Sequence, residues 1–228
     1  LTDRDGKKLR DESFGGESDD FLNKIIATAD GGYLLAGDTS STRANDISED
    51  SKGAGDYWIV RLDADWNKKW DRRYGGEDWD FLKDVVEPGD GTFILSGYSR
   101  SSENGDLPEK KLGKSDLWIL KVGAEGEMIW DSHLHVQSSN WTPQIAMREN
   151  GSFLIAASSH LANAEGDLTV NSYGESDLIM FELDHNGQKI NDWSYGGLKY
   201  EYGARIFNGH NNEIILVGTS TSGIGGQK

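Results

Sequence analysis

An all-β fold is what this sequence of 228 residues predicts: a β-propeller of four-stranded antiparallel blades, about four repeats present, forming part of a larger propeller. Three observations carry that expectation. The sequence repeats itself at a period near sixty residues, each period holds four short strand-like runs, and the links between runs alternate between tight and long.

The repeat is visible when residues 15–74 are slid along the chain. Gly15-Gly16 returns as Gly75-Gly76 and Gly196-Gly197, with His135-Val136 as a degenerate copy, so the period is 60, 60 and 61 residues (15 to 75, 75 to 135, 135 to 196). Ile25-Ile26 returns as Val85-Val86, Ile145-Ala146 and Ile206-Phe207. The chain therefore divides as one propeller domain or arc over 1–228, with repeats at 15–74, 75–134, 135–195 and 196–228, and 1–14 as the end of a preceding repeat.

Within the first period the runs come in order. "FLNKIIAT" alternates apolar and polar residues, as a half-buried strand does, and "GYLLAGDTS" is a short apolar run. "DYWIVRLD" is rich in aromatic and β-branched residues, and "KKWDRRY" sets Trp70 and Tyr74 on one side of the pleat. No window sustains a 3.6-residue apolar pattern, so no substantial helix is expected. Runs one and two are joined by "ADGG", "PGDG" and "ENGS", and runs three and four by "DADWN", "AEGE" and "DHNG", all short-hairpin signals. Runs two and three are separated by long segments such as "STRANDISEDSKGAG". In an antiparallel meander alternate links lie at opposite ends of the strands. The long loops and the Gly-Gly links thus share one face, where functional residues tend to collect.

Composition narrows the function. With 23 Lys and Arg against 39 Asp and Glu, the formal charge of −16 repels nucleic acid and anionic membrane surfaces. There is no Cys, which removes disulfides, Cys-ligated zinc and Cys nucleophiles together. No apolar run approaches the roughly 18–20 residues of a membrane span.

The copies "WDRRYGGEDWD" (70–80), "DGGYLLAGDTS" (30–40) and "DYWIVRL" (56–62) resemble the ~60-residue propeller repeats of exported and surface proteins of Bacteroidetes-type bacteria, cargo of type nine secretion or surface lipoproteins. The resemblance spans essentially the whole chain. It implies an extracellular or outer-membrane location and a binding or scaffold role, with a protein or glycan at the cell surface as partner. The turns "LDADWNKKW" and "LDHNGQK" resemble those of quinone-cofactor propellers, but only the turn matches, and no cofactor is expected. Leu1 aligns with Arg61 and the chain runs out before a fourth "DYWIVRLD", the phase expected of a segment of a longer propeller.

Several residues stand out as site candidates. Asp46, Asp106 and Asp167 share one repeat position, each ten residues before Asp56, Asp116 or Asp177. A ring of such carboxylates could bind calcium; the plainer expectation is that the first of each pair caps its loop and the second anchors the strand through backbone amides. Asp56, Asp116 and Asp177, with Trp79 and Asp78 in the second Gly-Gly loop, are the binding-face candidates. His133 and His135 share a strand face and could hold a metal, but read better as a degenerate edge. Phe21, Phe81, Trp141 and Tyr202, and Trp58 and Trp118, are expected to pack between blades. No G-x-S-x-G elbow, H-E-x-x-H or phosphate loop appears in the sequence, and no catalytic residue is assigned. The expected function is a non-enzymatic binding or scaffold propeller acting through its long-loop face. The alternatives are a glycan-acting hydrolase or lyase using carboxylates, and a structural subunit of an outer-membrane or secretion assembly.

Overall fold

The computed structural model describes residues 1–102, 104–107, 115–136, 142–160 and 166–223. Among them every named element is a strand, and all four sheets are antiparallel. The first sheet is β1 (Asp20–Ala27), β2 (Tyr33–Thr39), β3 (Asp56–Leu62) and β4 (Lys68–Tyr74), side by side in chain order. The second is β5 (Asp80–Val86), β6 (Phe93–Ser99), β7 (Asp116–Val122) and β8 (Met128–Leu134). The third is β9 (Gln144–Met147), β10 (Phe153–Ser159), β11 (Asp177–Leu183) and β12 (Lys189–Tyr195). The fourth holds β13 (Glu201–Asn208) and β14 (Ile214–Ser220) alone. No closed ring of sheets is detected among these residues.

The turn chemistry does what the sequence demands. Gly31, Gly91 and Gly151 close the first hairpins at φ of 88°, 79° and 82°, and Gly126 and Gly187 close the later ones at 80° and 81°. In the first sheet that last position is Trp66, at φ 67°. Its indole packs on Tyr33 with ring centroids 4.9 Å apart. "TDRDGKKL" is likewise a turn: Asp3 Oδ1 accepts from the amides of Asp5 and Lys7 around Gly6 at φ 80°.

The sheets stack face to face, and one knob-into-hole contact recurs at each junction. The second residue of the third strand (Tyr57, Leu117, Leu178) points at the next sheet. On that sheet the facing position of the second strand is small (Gly97, Ala157, Gly218). A Cβ on Gly97 would come within 2.3 Å of Tyr57 Oη, and one on Gly218 within 2.7 Å of Leu178 Cδ1. Leu34, Ala36 and Ile59 join Tyr57 against Leu82, Leu95, Trp118 and Leu120 in the first junction. Trp58 and Trp118 are buried, with Trp118 centred 4.8 Å from Tyr57.

The first-run aromatics depart from expectation. Phe21 is 56% exposed and Tyr202 49%, Phe81 is half-buried, and Trp141 lies outside the described residues. The pleat explains the difference: a strand's neighbours point to opposite faces. The following residue does the packing, as Leu82 does at 0% exposure. The aromatic shares a face with Tyr57 or Leu117 through the ladder (Phe21↔Asp38↔Tyr57, Phe81↔Tyr98↔Leu117) but stands on the edge strand, where the neighbouring sheet covers it only in part.

Candidate functional site

At the long-loop end each sheet is fastened by carboxylates. Asp20 Oδ2 accepts from Gly16 N at 2.7 Å and Ser41 Oγ at 3.1 Å. Asp80 Oδ2 repeats this with Gly76 N at 2.8 Å and Ser101 Oγ at 3.0 Å, and Glu201 with Gly197 N at 2.9 Å and Ser220 Oγ at 2.5 Å. Glycine fits here because the carboxylates close over it; the third repeat instead carries His135, which meets Asp116 through its ring. A Cβ on Gly75 would stand 2.2 Å from Asp56 Oδ1, and one on Gly196 2.0 Å from Asp177 Oδ1.

Asp46, Asp106 and Asp167 hold the same link from the other side. Their Oδ2 atoms accept from the amides of Gly15 (3.3 Å), Gly75 (3.1 Å) and His135 (2.7 Å). Their own amides donate back to the carbonyls of those residues. Asp106 is also ion-paired with Lys52. Each carboxylate is thus a two-way clip on the main chain within its own sheet. Among the described residues no three acidic or histidine side chains converge as a metal would require.

Asp56, Asp116 and Asp177 open β3, β7 and β11 and are 0–1% exposed. Asp56 Oδ2 accepts from Lys52 N (3.1 Å) and pairs with Arg73 Nη2 at 2.7 Å, both side chains fully buried. Asp116 Oδ2 meets His135 Nδ1 at 3.0 Å. Asp177 Oδ2 accepts from Tyr173 N, Ser172 Oγ and Ser194 Oγ at 2.6–2.8 Å. These three shape the loop face from beneath. His133 and His135 are taken up in the same network, His133 Nε2 lying 3.0 Å from Asp131 Oδ2.

Burial raises the carboxyls of Asp56 and Asp80. For Asp80 the loss of solvation dominates, opposed by donors from Ser99, Gly76 and Ser101 and reinforced by the negative charge of Asp56, and it pushes the group up to about 7.

Trp79 and Asp78 lie half-buried where the second Gly-Gly loop enters β5. Asp78 Oδ1 accepts from Trp79 N at 2.8 Å, and Asp78 N donates to Ser101 Oγ. The Trp79 ring lies on Gly55, whose Cβ, if present, would sit 2.5 Å from Trp79 Cε3. From there the indole runs parallel to Phe81 (centroids 5.5 Å, planes 9° apart), and Phe81 meets Tyr98 at 4.8 Å. Lys83 Nζ stands 5.2 Å from the Phe81 centroid and 3.2 Å from Asp38 Oδ2, and the Arg100 guanidinium 5.5 Å from Phe81. The result is a half-exposed platform of three rings flanked by two cations, on a strongly acidic protein. Tyr200 occupies the position of Trp79 in the fourth repeat, 45% exposed beside exposed Tyr202 and 6.3 Å from the His160 ring. Trp79 stood out in the sequence; Tyr98, Lys83 and Arg100 did not. The signal was there: Tyr98 stands where the other repeats have Asp38, Ser158 and Thr219, directly opposite the first-run aromatic.

No protein-family model matches the chain, and no curated protein does. Among solved structures, it is similar to a protein of unknown function from Bacteroides caccae, at a TM-score of 0.46 and 15% identity. The match covers 88% of this chain and 54% of the other, so this chain spans about half the length of that protein.

Proposed function

We propose that this chain is a propeller-type binding or scaffold domain, its sheets serving as blades, that works without catalysis at the outer surface of a bacterial cell. The loop face does the binding, and the Trp79–Phe81–Tyr98 platform is its centre. That platform is the observation that carries the reading. Three aromatic rings held half-exposed by a glycine floor keep apolar surface at the end of the strands where other polar groups are consumed in fastening the sheets. Flat apolar surface there suits a ligand with a planar or ring face, such as a glycan or a peptide segment.

Arrays of surface polysaccharides and of peptides, probed with the purified chain, test this. Binding that falls at least tenfold, about 1.4 kcal/mol, in both Trp79→Ala and Phe81→Ala while Tyr202→Ala binds normally supports it. Turnover of a polysaccharide that a single Asp substitution abolishes would replace it with a carboxylate-dependent glycan hydrolase or lyase.

A further inference from the structure

The repeat shows one sheet junction giving up side-chain volume that another fills. At the first junction Tyr74 and Arg72, on the edge strand β4, reach the β7–β8 turn of the next sheet. Tyr74 is 4% exposed, and its Oη donates to Gly126 O at 2.6 Å. Arg72 lies over the Trp70 ring, 5.8 Å from its centroid, and covers Gly126, where a Cβ would stand 2.5 Å from Arg72 Cγ. One repeat later the equivalent residues on β8 are Leu134, Ser132 and Trp130, and the turn glycine is Gly187. Trp130 still covers the turn: a Cβ on Gly187 would stand 2.7 Å from Trp130 Cε3, and Trp130 Nε1 donates to His185 O at 3.2 Å. Leu134 is drawn into the core with Ile145 and Phe153 and has no hydroxyl to offer Gly187, while Ser132 leaves the arginine's course open. A cavity of about 280 Å³ stands there, lined by residues 131–134 of β8 and by Asp167 and residues 187–189 of the third repeat.

The charged groups around this cavity are already matched. Asp131 Oδ2 meets His133 Nε2 at 3.0 Å and Trp118 Nε1 at 3.5 Å. Lys189 Nζ pairs with Asp192 Oδ1 at 2.5 Å and donates to Asp167 O, and Asp167 Oδ2 accepts from His135 N at 2.7 Å. What remains to meet a ligand is neutral: the Ser132 hydroxyl, the Gln188 amide and the Gly187 carbonyl. We propose that the cavity is a binding site for a single neutral sugar ring. One sugar hydroxyl takes the place of the Tyr74 phenol on Gly187 O, Ser132 and Gln188 hold others, and a C–H face rests on Leu134. Hydroxyls both donate and accept, which suits this mixed lining. An anion is disfavoured by the two carboxylates, because the one lysine is already held by Asp192. Pockets for drug-sized ligands run from roughly 300 Å³ upward, so about 280 Å³ takes one ring and not a chain. The site lies at a different junction from the loop-face platform and does not rest on that reading.

Glucose, galactose, mannose and N-acetylglucosamine, with glucuronate as the anionic control, are titrated at millimolar concentration into the isotope-labelled chain while its amide resonances are followed. At least one neutral sugar is expected to saturate with shifts centred on residues 132–134 and 187–189, and glucuronate to bind more weakly. The double variant Ser132→Arg with Leu134→Tyr restores the side chains of the first junction. It is expected to weaken that sugar by about tenfold or more, with the melting temperature unchanged or raised. If the double variant does not melt cooperatively, Ser132→Ala and Gln188→Ala decide instead. Each removes one neutral hydrogen bond and is expected to weaken binding severalfold, and unchanged binding in either overturns the proposal. Shifts centred on residues 79–81, tighter binding of glucuronate, no saturable shift with any of the sugars, or full binding by the folded double variant would each overturn it as well.

Discussion

Burial pushes the Asp80 carboxyl up to about 7, against roughly 4 for the same group in an unfolded chain, and the difference ties stability to pH. Between those values the folded protein holds a proton that the unfolded chain has lost. Stability from this group is therefore greatest below pH 4 and falls as pH rises through 7. Asp80→Asn keeps a carbonyl oxygen for Gly76 and Ser101 but cannot ionise. It is expected to stabilise the protein by a few kcal/mol at pH 8, because every tenfold difference in proton affinity between the folded and unfolded carboxyl is worth about 1.4 kcal/mol. The gain should vanish near pH 4. Urea midpoints at the two pH values check this, and an equal change at both would contradict it. Arg73 is the opposite case, a buried cation whose removal strands Asp56. Arg73→Ala is expected to cost about 3–5 kcal/mol, part of it recovered when Asp56→Asn is added. A thermal-melt series of the two single variants and the double reads this directly. The repeat made these carboxylates legible as a set, but their partners were not. Asp106 holds an amide 31 residues away, and spacing along a chain says nothing of which glycine a carboxylate closes over.

Repeat-equivalent residues with unequal surroundings separate propensity from packing at the level of the strand. Leu22 and Leu82 occupy the same position in β1 and β5, yet one is 60% exposed and the other 0%, because the first sheet covers only the second. Leu82→Ala is expected to cost about 2–5 kcal/mol and Leu22→Ala within about 0.5 kcal/mol, measured by denaturant unfolding; similar costs would mean that the face of β1 is covered. Gly31 and Trp66 make the matching comparison for turns. A Cβ on Gly31 meets nothing within 4 Å, so Gly31→Ala tests the left-handed backbone alone, at about 1–2 kcal/mol. Trp66→Gly relieves a similar strain and loses the contact with Tyr33, so its net effect on the melting temperature is expected to be small. Strands and hairpins are legible in the sequence because alternation, turn glycines and a fixed period all point the same way. The role of the first-run aromatics is not, because spacing fixes that Phe21 and Leu22 face opposite ways but not how far the neighbouring sheet reaches over the edge strand.

Across the molecule, stability should fall from the middle outwards, since each sheet rests on its neighbours and the end sheets have only one. Hydrogen exchange is expected to be slowest in β6, β7, β10 and β11 and fastest in β14, whose residues are mostly exposed. Protection of β14 equal to that of β6 in the isolated chain would show that something already covers it. The period and the four-strand unit were plain in the sequence. What the sequence could not show is that the Gly-Gly link is a clamp read from both sides, because that property belongs to contacts between residues some thirty positions apart in one repeat.

The main-chain stitch between sheets bears on how the molecule answers a pull. Asp80 N donates to Gly55 O and Glu201 N to Ser176 O, both at 2.8 Å, so at these junctions the incoming strand is tied to the sheet before it by a backbone bond beside the knob-and-hole contact. Tension along the stack loads those few bonds in series, while the ladders within each sheet stay unloaded. A protein assembled this way would lengthen under tension by parting its junctions before the ladders within the sheets unzip.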